Sequence, residues 1–356
     1  MRFAALLFAF VLAAPAQTVR WISLPNKDLP VHGLPWCEEN EGRLWRLPVR
    51  LKGTFRKAVW NLAQSPSGGR IRFKSDSNFL GIRLEYPSEP NMKNMHSFGQ
   101  TGVDLYVDGV FHSTAIAAND SRPGKIQEHV FFRLKDELRR MREITLYLPL
   151  YMPVEVHAIG LETDARLEAP KPFAVLKPVV YYGTSITQGG CASRPGMAYP
   201  AILGRILNID YVNLGFSGNG KGEKEVARAV ASINAACYVV DFSQNNRTAR
   251  DLERVYAPFL REIRERHPST PILAITPISA SRENWGKSEL EGMRDVIRSV
   301  VAARVASGDT HTEVVEGTSL LGPKRLDGLV DGTHPNDLGF QWMAEGLAPH
   351  LRMTLK

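Results

Sequence analysis

Four short segments of this 356-residue chain carry side chains that could do chemistry together. In PVVYYGTSITQGG, Ser185 follows an apolar run and a glycine and precedes a second polar, glycine-containing turn. A serine on a tight turn at a strand end presents its hydroxyl to solvent and its own N–H to an incoming oxygen. In DGLVDGTHPNDLGF, Asp331 and His334 stand three residues apart, just ahead of a C-terminal helical stretch. A histidine takes a hydroxyl proton when an acid fixes its tautomer and stabilises the imidazolium, and Asp-x-x-His supplies both groups from one turn. Acyl transfer further requires donors aimed at the developing oxyanion. NLGFSGNG, residues 213–220, offers the Gly218 N–H, and DFSQNN offers the side chain of Asn245 or Asn246.

Read singly, each segment has an ordinary explanation. Serine often caps a helix, HPND is a common way to start one, and Gly-rich or Asn-rich segments are frequent turns. The joint reading rests on their order: three follow apolar strands and the fourth opens the last helix.

Those positions must be held by a particular architecture. Beyond residue 170 apolar strands alternate with helical stretches: PVVYYG, the segment from Tyr199 to Leu207, YVNLGF, KEVARAVASI, CYVVDF, TARDLERVYAPFLREIRER, PILAIT, RDVIRSVVAARVA, TEVVEG and LGFQWMAEGLAPHL. Such alternation implies an α/β fold, a parallel sheet covered on both faces, whose sites form beyond the carboxyl ends of the strands. Residues 50–165 read differently. GTFRKAVW, RIRFKSD, LGIRLEY, VDLYVDGVF, EHVFFRL, EITLYLPL and VEVHAIGLE are short β-rich runs between turn residues, the pattern of an antiparallel sandwich. Val107-Asp108-Gly109-Val110 suits a hairpin. The polar, proline-bearing stretch at 166–172 marks the boundary, giving a β domain over 17–168 and an α/β domain over 169–356.

Residues 1–16 hold Arg2, an apolar run from Phe3 to Ala14 and the triplet Ala14-Pro15-Ala16, the pattern of a cleaved signal peptide and too short to span a bilayer. The expected destination is secreted or periplasmic, with no membrane span after cleavage. Apolar residues make up 44 % and charged ones 23 %, which excludes a disordered chain. The formal charge of +7 is spread rather than clustered and implies no nucleic-acid partner. Cys37, Cys191 and Cys237 lack the C-x-x-C spacing of zinc or redox sites, and free, buried thiols are the reading for Cys191 and Cys237.

GTSI, NLGFSGNG, the strand-terminal Asn and DGTHPND together resemble the SGNH (GDSL-type) hydrolases over residues 175–356. Gly102-Val103-Asp104-Leu105-Tyr106 is similar to the signature of the so-called GxDLY β domain found upstream of such hydrolases in a bacterial branch. The resemblance implies a flavodoxin-like three-layer α/β/α hydrolase domain behind an antiparallel β-sandwich, with no metal and no organic cofactor. It implies Ser185 as nucleophile, His334 as base and Asp331 as its orienting acid, with Ser185, Gly218 and Asn245 forming the oxyanion hole. Thr184 departs from the Gly-Asp-Ser form, and the choice of Asn245 over Asn246 follows from matching DFSQN to Asp-x-x-x-Asn. The expected substrate is an acylated small molecule or polysaccharide, O-acetyl carbohydrate in particular.

Two other classes stand beside this one. A glycan-binding protein that has kept the fold needs none of Ser185, Asp331 and His334. A nucleotide binder needs backbone cradles that GFSGNG and GTSITQGG do not form. Near the β-domain signature, Asn94, His96, Asp104 and Tyr106 either line the cleft or pack within the sheet. Of the six tryptophans, most are expected in cores, and any exposed one could stack on sugar.

Overall fold

The computed structural model of the chain describes residues 18–135, 138–286 and 288–355. The expected signal peptide lies outside them.

The first half contains β1 (Val19–Ser23), β2 (Val31–His32), α1 (Lys57–Ala63), β3 (Arg70–Ser75), β4 (Phe79–Glu85), α2 (Ser97–Thr101), β5 (Val103–Val107), β6 (Val110–Ala115), β7 (Ile126–Arg133), β8 (Arg142–Tyr147), β9 (Glu155–Glu162) and β10 (Leu167–Glu168). They form two antiparallel sheets, β1-β9-β4-β7 and β10-β3-β8-β5-β6, with β2 added on β3. Between them lies a core that includes Ile71, Phe73, Ile82, Leu105, Leu146 and Ile159. The β5–β6 turn has both central residues at positive φ, Asp108 at 52° and Gly109 at 80°, as two-residue hairpins require.

One β-rich run is not a strand. GTFRKAVW ends a 3-10 turn (Val49–Thr54) and enters α1. A run this short satisfies either period, and burial decides: Val59, Trp60 and Ala63 share one helical face and pack onto the α/β half, as do Trp36, Leu47 and Phe55.

The second half follows the expected alternation: β11 (Val179–Gly183), α3 (Ser185–Gln188), α4 (Tyr199–Leu207), β12 (Tyr211–Gly215), α5 (Lys224–Ala231), β13 (Cys237–Asp241), α6 (Ala249–Arg266), β14 (Ile272–Ile275), α7 (Leu290–Ala306), β15 (Thr312–Val315), α8 (Gly317–Leu320) and α9 (Asp337–Thr354). All five strands are parallel, in the order β12-β11-β13-β14-β15. Alternate strand residues feed two cores. Val180 and Tyr182 meet residues of α5, α6 and α7, whereas Val179 and Tyr181 meet residues of α4 and α9. The chain reverses its direction of sheet growth at β11, so a crevice opens beyond that strand's carboxyl end, the usual ligand position in such sheets.

The two halves are locked by buried cations. Arg70 lies over the Tyr211 ring at 3.8 Å and Arg72 over Phe173 at 4.2 Å, which is why β3 buries residues that a solvent-facing sheet would leave out. Arg46 is fully enclosed. It donates to the carbonyls of Leu62, Ser65, Asn213 and Gly215 and stacks on Phe216, tying the 46–65 segment to the end of β12. With no carboxylate partner among the described residues, its guanidinium is pushed down to about 9 by burial.

Candidate active site

Ser185 is the first residue of α3, directly beyond β11, and is 8 % exposed. Thr184 caps that helix through its hydroxyl, which accepts the Ile186 N–H at 3.2 Å. The Ser185 Oγ lies 2.9 Å from His334 Nε2, and His334 Nδ1 lies 2.8 Å from Asp331 Oδ2. Asp331 Oδ1 accepts the backbone N–H groups of Thr333 and His334 at 3.1 and 2.9 Å. The loop is closed below by a Leu329–Pro335 bridge and by Val330 N–H donating to the His334 carbonyl. Asp337, in the first turn of α9, accepts the Ser193 N–H at 2.8 Å, so the loop after the serine and the loop carrying the histidine are fastened to each other.

This network sets the protonation pattern. Partial burial works against ionisation of Asp331, but the His334 N–H, the His334 ring and the Asn94 amide hold its carboxyl down at about 2. An ionised Asp331 keeps the proton on Nδ1 and leaves Nε2 as an acceptor for the serine hydroxyl.

Two further oxyanion donors expected from the sequence come from the loops after β12 and β13, the strands on either side of β11. Gly218 is exposed at φ +64°, and its N–H has no partner among the described residues. Asn245 donates one amide hydrogen to the Phe216 carbonyl at 3.1 Å, which places it beside the Gly218 turn with a second hydrogen to spare. Asn246 instead turns back to the Ser243 carbonyl at 3.4 Å. Replacing Asn245 by alanine is expected to cut kcat about 10²–10³-fold, and replacing Asn246 only a few-fold; steady-state kinetics on an activated ester separates them.

Several supporting residues were invisible as motifs. Gln188 accepts the Ser217 N–H at 3.0 Å and donates to the Leu150 carbonyl, fixing the Gly218 turn to the serine's helix. Asn213 of NLGFSGNG is structural, its amide joining the Thr187 carbonyl to the Gly215 N–H. Beneath α3, Asp241 is buried and accepts from Thr187 at 3.2 Å and Tyr199 at 3.3 Å. Burial lifts its carboxyl to about 7 despite those bonds. Because its folded pKa exceeds the ordinary value near 4, the native chain holds the extra proton and stability falls as pH rises through that interval. Asp241→Asn should therefore gain on the wild type by on the order of 2–3 kcal/mol between about pH 5 and pH 8. Thermal melts across that range would show a widening gap in Tm; a constant gap would contradict it.

The β half reaches into this site. Asn94 donates to Asp331 Oδ2 at 3.3 Å. His96 caps α2 through Nδ1, a local role. Leu105 and Tyr106 are buried, as packing residues should be. Asp104 accepts from Arg194 at 2.9 Å and from the Gly196 N–H at 2.8 Å, while the Tyr106 hydroxyl takes a second bond from Arg194. The signature thus clamps the loop that follows the serine's helix.

All three cysteines are free thiols, with Cys191 and Cys237 buried. Among the tryptophans, Trp36 and Trp60 are core and Trp45 packs on Trp60, whereas Trp285 is 86 % exposed. Trp285 closes a turn whose Ser281 and Arg282 bond to Gly332 and Thr333, next to His334. No helix among the described residues is long and apolar enough to cross a membrane.

Comparison with known proteins agrees with this architecture. A GDSL lipase of Mycobacterium tuberculosis is 29 % identical over 202 residues, covering 51 % of this chain and 84 % of that one. A crystal structure from Bacteroides ovatus described as a GDSL-like lipase is 29 % identical with a TM-score of 0.84, covering 95 % of this chain and 98 % of its own. A family two carbohydrate esterase from Clostridium thermocellum in complex with cellohexaose shares the fold at 17 % identity and a TM-score of 0.62, over 81 % of this chain and 93 % of its own. Residues 19–167 match the GxDLY family, the N-terminus of SGNH-hydrolase-type esterases, and residues 176–352 match the GDSL-like lipase/acylhydrolase family. With both halves matched, the chain belongs to the GDSL-like lipase/acylhydrolase family and carries its GxDLY N-terminal domain.

Proposed function

We propose that the protein is an exported serine esterase that removes small acyl groups, O-acetyl above all, from carbohydrate. The observation that carries this reading is the chain of contacts from Ser185 Oγ to His334 Nε2 and from His334 Nδ1 to Asp331. In the proposed reaction His334 takes the Ser185 proton as Oγ attacks the ester carbonyl. The oxyanion is received by the N–H groups of Ser185 and Gly218 and the Asn245 amide. His334 then gives the proton to the leaving alcohol, and water resolves the acyl-enzyme by the same steps in reverse.

The carbohydrate part is supported by Trp285, an exposed ring on the turn bonded to the His334 loop, where a sugar ring could stack. The fold shared with the family two carbohydrate esterase is consistent with it. We further take 17–168 and 169–356 as the two domains and 1–16 as a cleaved signal peptide. The test is release of p-nitrophenol from p-nitrophenyl acetate and of acetate from acetylated xylan by wild type and Ser185→Ala. Loss of both activities in the variant supports the reading. Equal rates in the two, or no turnover by folded wild type, would move weight to a glycan-binding role.

A further inference from the structure

Cys191 takes no part in the proposed chemistry, yet its backbone sits at φ +74° in the left-handed region, on the turn that follows α3. Among the described residues the other non-glycine positions there are Glu41, Asp108 and Asn208; aspartate and asparagine tolerate it through short polar side chains, and cysteine, like glutamate, is not such a type. The side chain is 9 % exposed and donates to the Asn94 carbonyl at 3.1 Å. Its Sγ, an oxygen of Asp331 and a ring nitrogen of His334 all lie within 4.8 Å of one another.

We infer that Cys191, Asp331 and His334 form a binding site for a soft divalent cation such as zinc, and that the bound ion silences the serine. Thiolate, carboxylate and imidazole are the three ligand types that zinc accepts together, at roughly 2.0–2.3 Å, so modest side-chain rotations close the shell and leave a fourth position for water. Two anionic ligands neutralise the ion's charge. His334 Nε2 already faces Ser185 Oγ, so the nitrogen available to the metal is Nδ1, on the Asp331 side.

The proton balance explains inhibition. Binding releases the thiol proton to solvent. Metal on Nδ1 sends that nitrogen's proton to Nε2, so the neutral ring keeps one proton in all. Nε2 is then a donor and cannot take the Ser185 hydroxyl proton. Removal of the ion by a chelator restores the original tautomer, which makes the inhibition reversible. Magnesium, which demands oxygen ligands, gains little from a thiolate and should not bind there.

The inhibitory consequence rests on the esterase reading, but the binding does not, and the experiment separates them. Zinc and cadmium are titrated by calorimetry into the Ser185→Ala chain, alone and combined with Cys191→Gly or Cys191→Ser. Cys191→Gly relieves the strained backbone, and Cys191→Ser keeps the donor to Asn94. One ion per chain is expected at this site, with affinity at least tenfold weaker in both cysteine variants and no heat with magnesium. In parallel, zinc should inhibit wild-type hydrolysis of p-nitrophenyl acetate, a chelator should restore it, and each cysteine variant should need at least tenfold more zinc for half-inhibition. Equal zinc affinity with and without the thiol would overturn the site. So would binding lost in Glu85→Gln instead, since that places the ion on the separate group of Glu85, Glu155 and His157. Should wild type show no esterase activity, the calorimetry still decides the site while the functional reading fails alone.

Discussion

Replacing Ser185 by alanine is expected to lower kcat on p-nitrophenyl acetate by about 10⁴-fold or more, with KM and Tm near the wild-type values. The side chain is small and its Oγ contact is to His334 Nε2, so removal costs little packing. What disappears is the covalent route itself, since among the described residues no other hydroxyl is hydrogen-bonded to His334 Nε2. A residual rate should survive, because the Gly218 N–H and the Asn245 amide remain to polarise a bound ester for attack by water. A drop of only a few-fold would mean that Ser185 is an ordinary first-turn residue of α3, behind its Thr184 cap, and does nothing more.

Asp331→Asn is expected to cost about 10⁴-fold in kcat with the fold intact. The amide oxygen can still accept the Thr333 and His334 backbone N–H groups that Asp331 Oδ1 receives. Its NH₂ then faces His334 Nδ1 and the Asn94 amide, both of which now donate to Oδ2. To make a bond, Nδ1 must become the acceptor, which places the ring proton on Nε2 and removes the base. Asp331→Ala should hurt less per unit of lost structure, because the imidazole stays free to adopt either tautomer. Kinetics of the two variants side by side, normalised to correctly folded protein by circular dichroism, would test the tautomer argument.

Much of this architecture is written in local pattern. Four of the five strands of the α/β half, all but the edge strand β15, are buried along their whole length because both faces are covered, and mostly apolar runs such as CYVVD, bounded by turns and helices, have few other ways to fold. The reactive residues were legible for a related reason: a polar Ser, Gly or Asn placed immediately after such a strand must lie at the sheet's carboxyl edge.

The supports were not legible. Arg46, Gln188 and Asp241 act through partners 16 to 169 positions away, and nothing about an arginine or a glutamine in isolation announces a set of backbone carbonyls waiting for it. Asn94 stood near the signature as one of several polar residues, and only the docking of the β half shows that its amide meets Asp331. GTFRKAVW departs from its β-rich pattern because the surface that buries Trp60 belongs to the α/β half, beyond the reach of any local period.

The central claim is that Ser185 carries the acyl group during turnover. Rapid quenching of wild type with p-nitrophenyl acetate, followed by intact mass and peptide mapping, tests it most directly. The account predicts one acetyl group per chain on the peptide containing Ser185, and none in Ser185→Ala. Acetylation of a different residue, or hydrolysis with no modification at Ser185 under conditions that trap the intermediate, would contradict it.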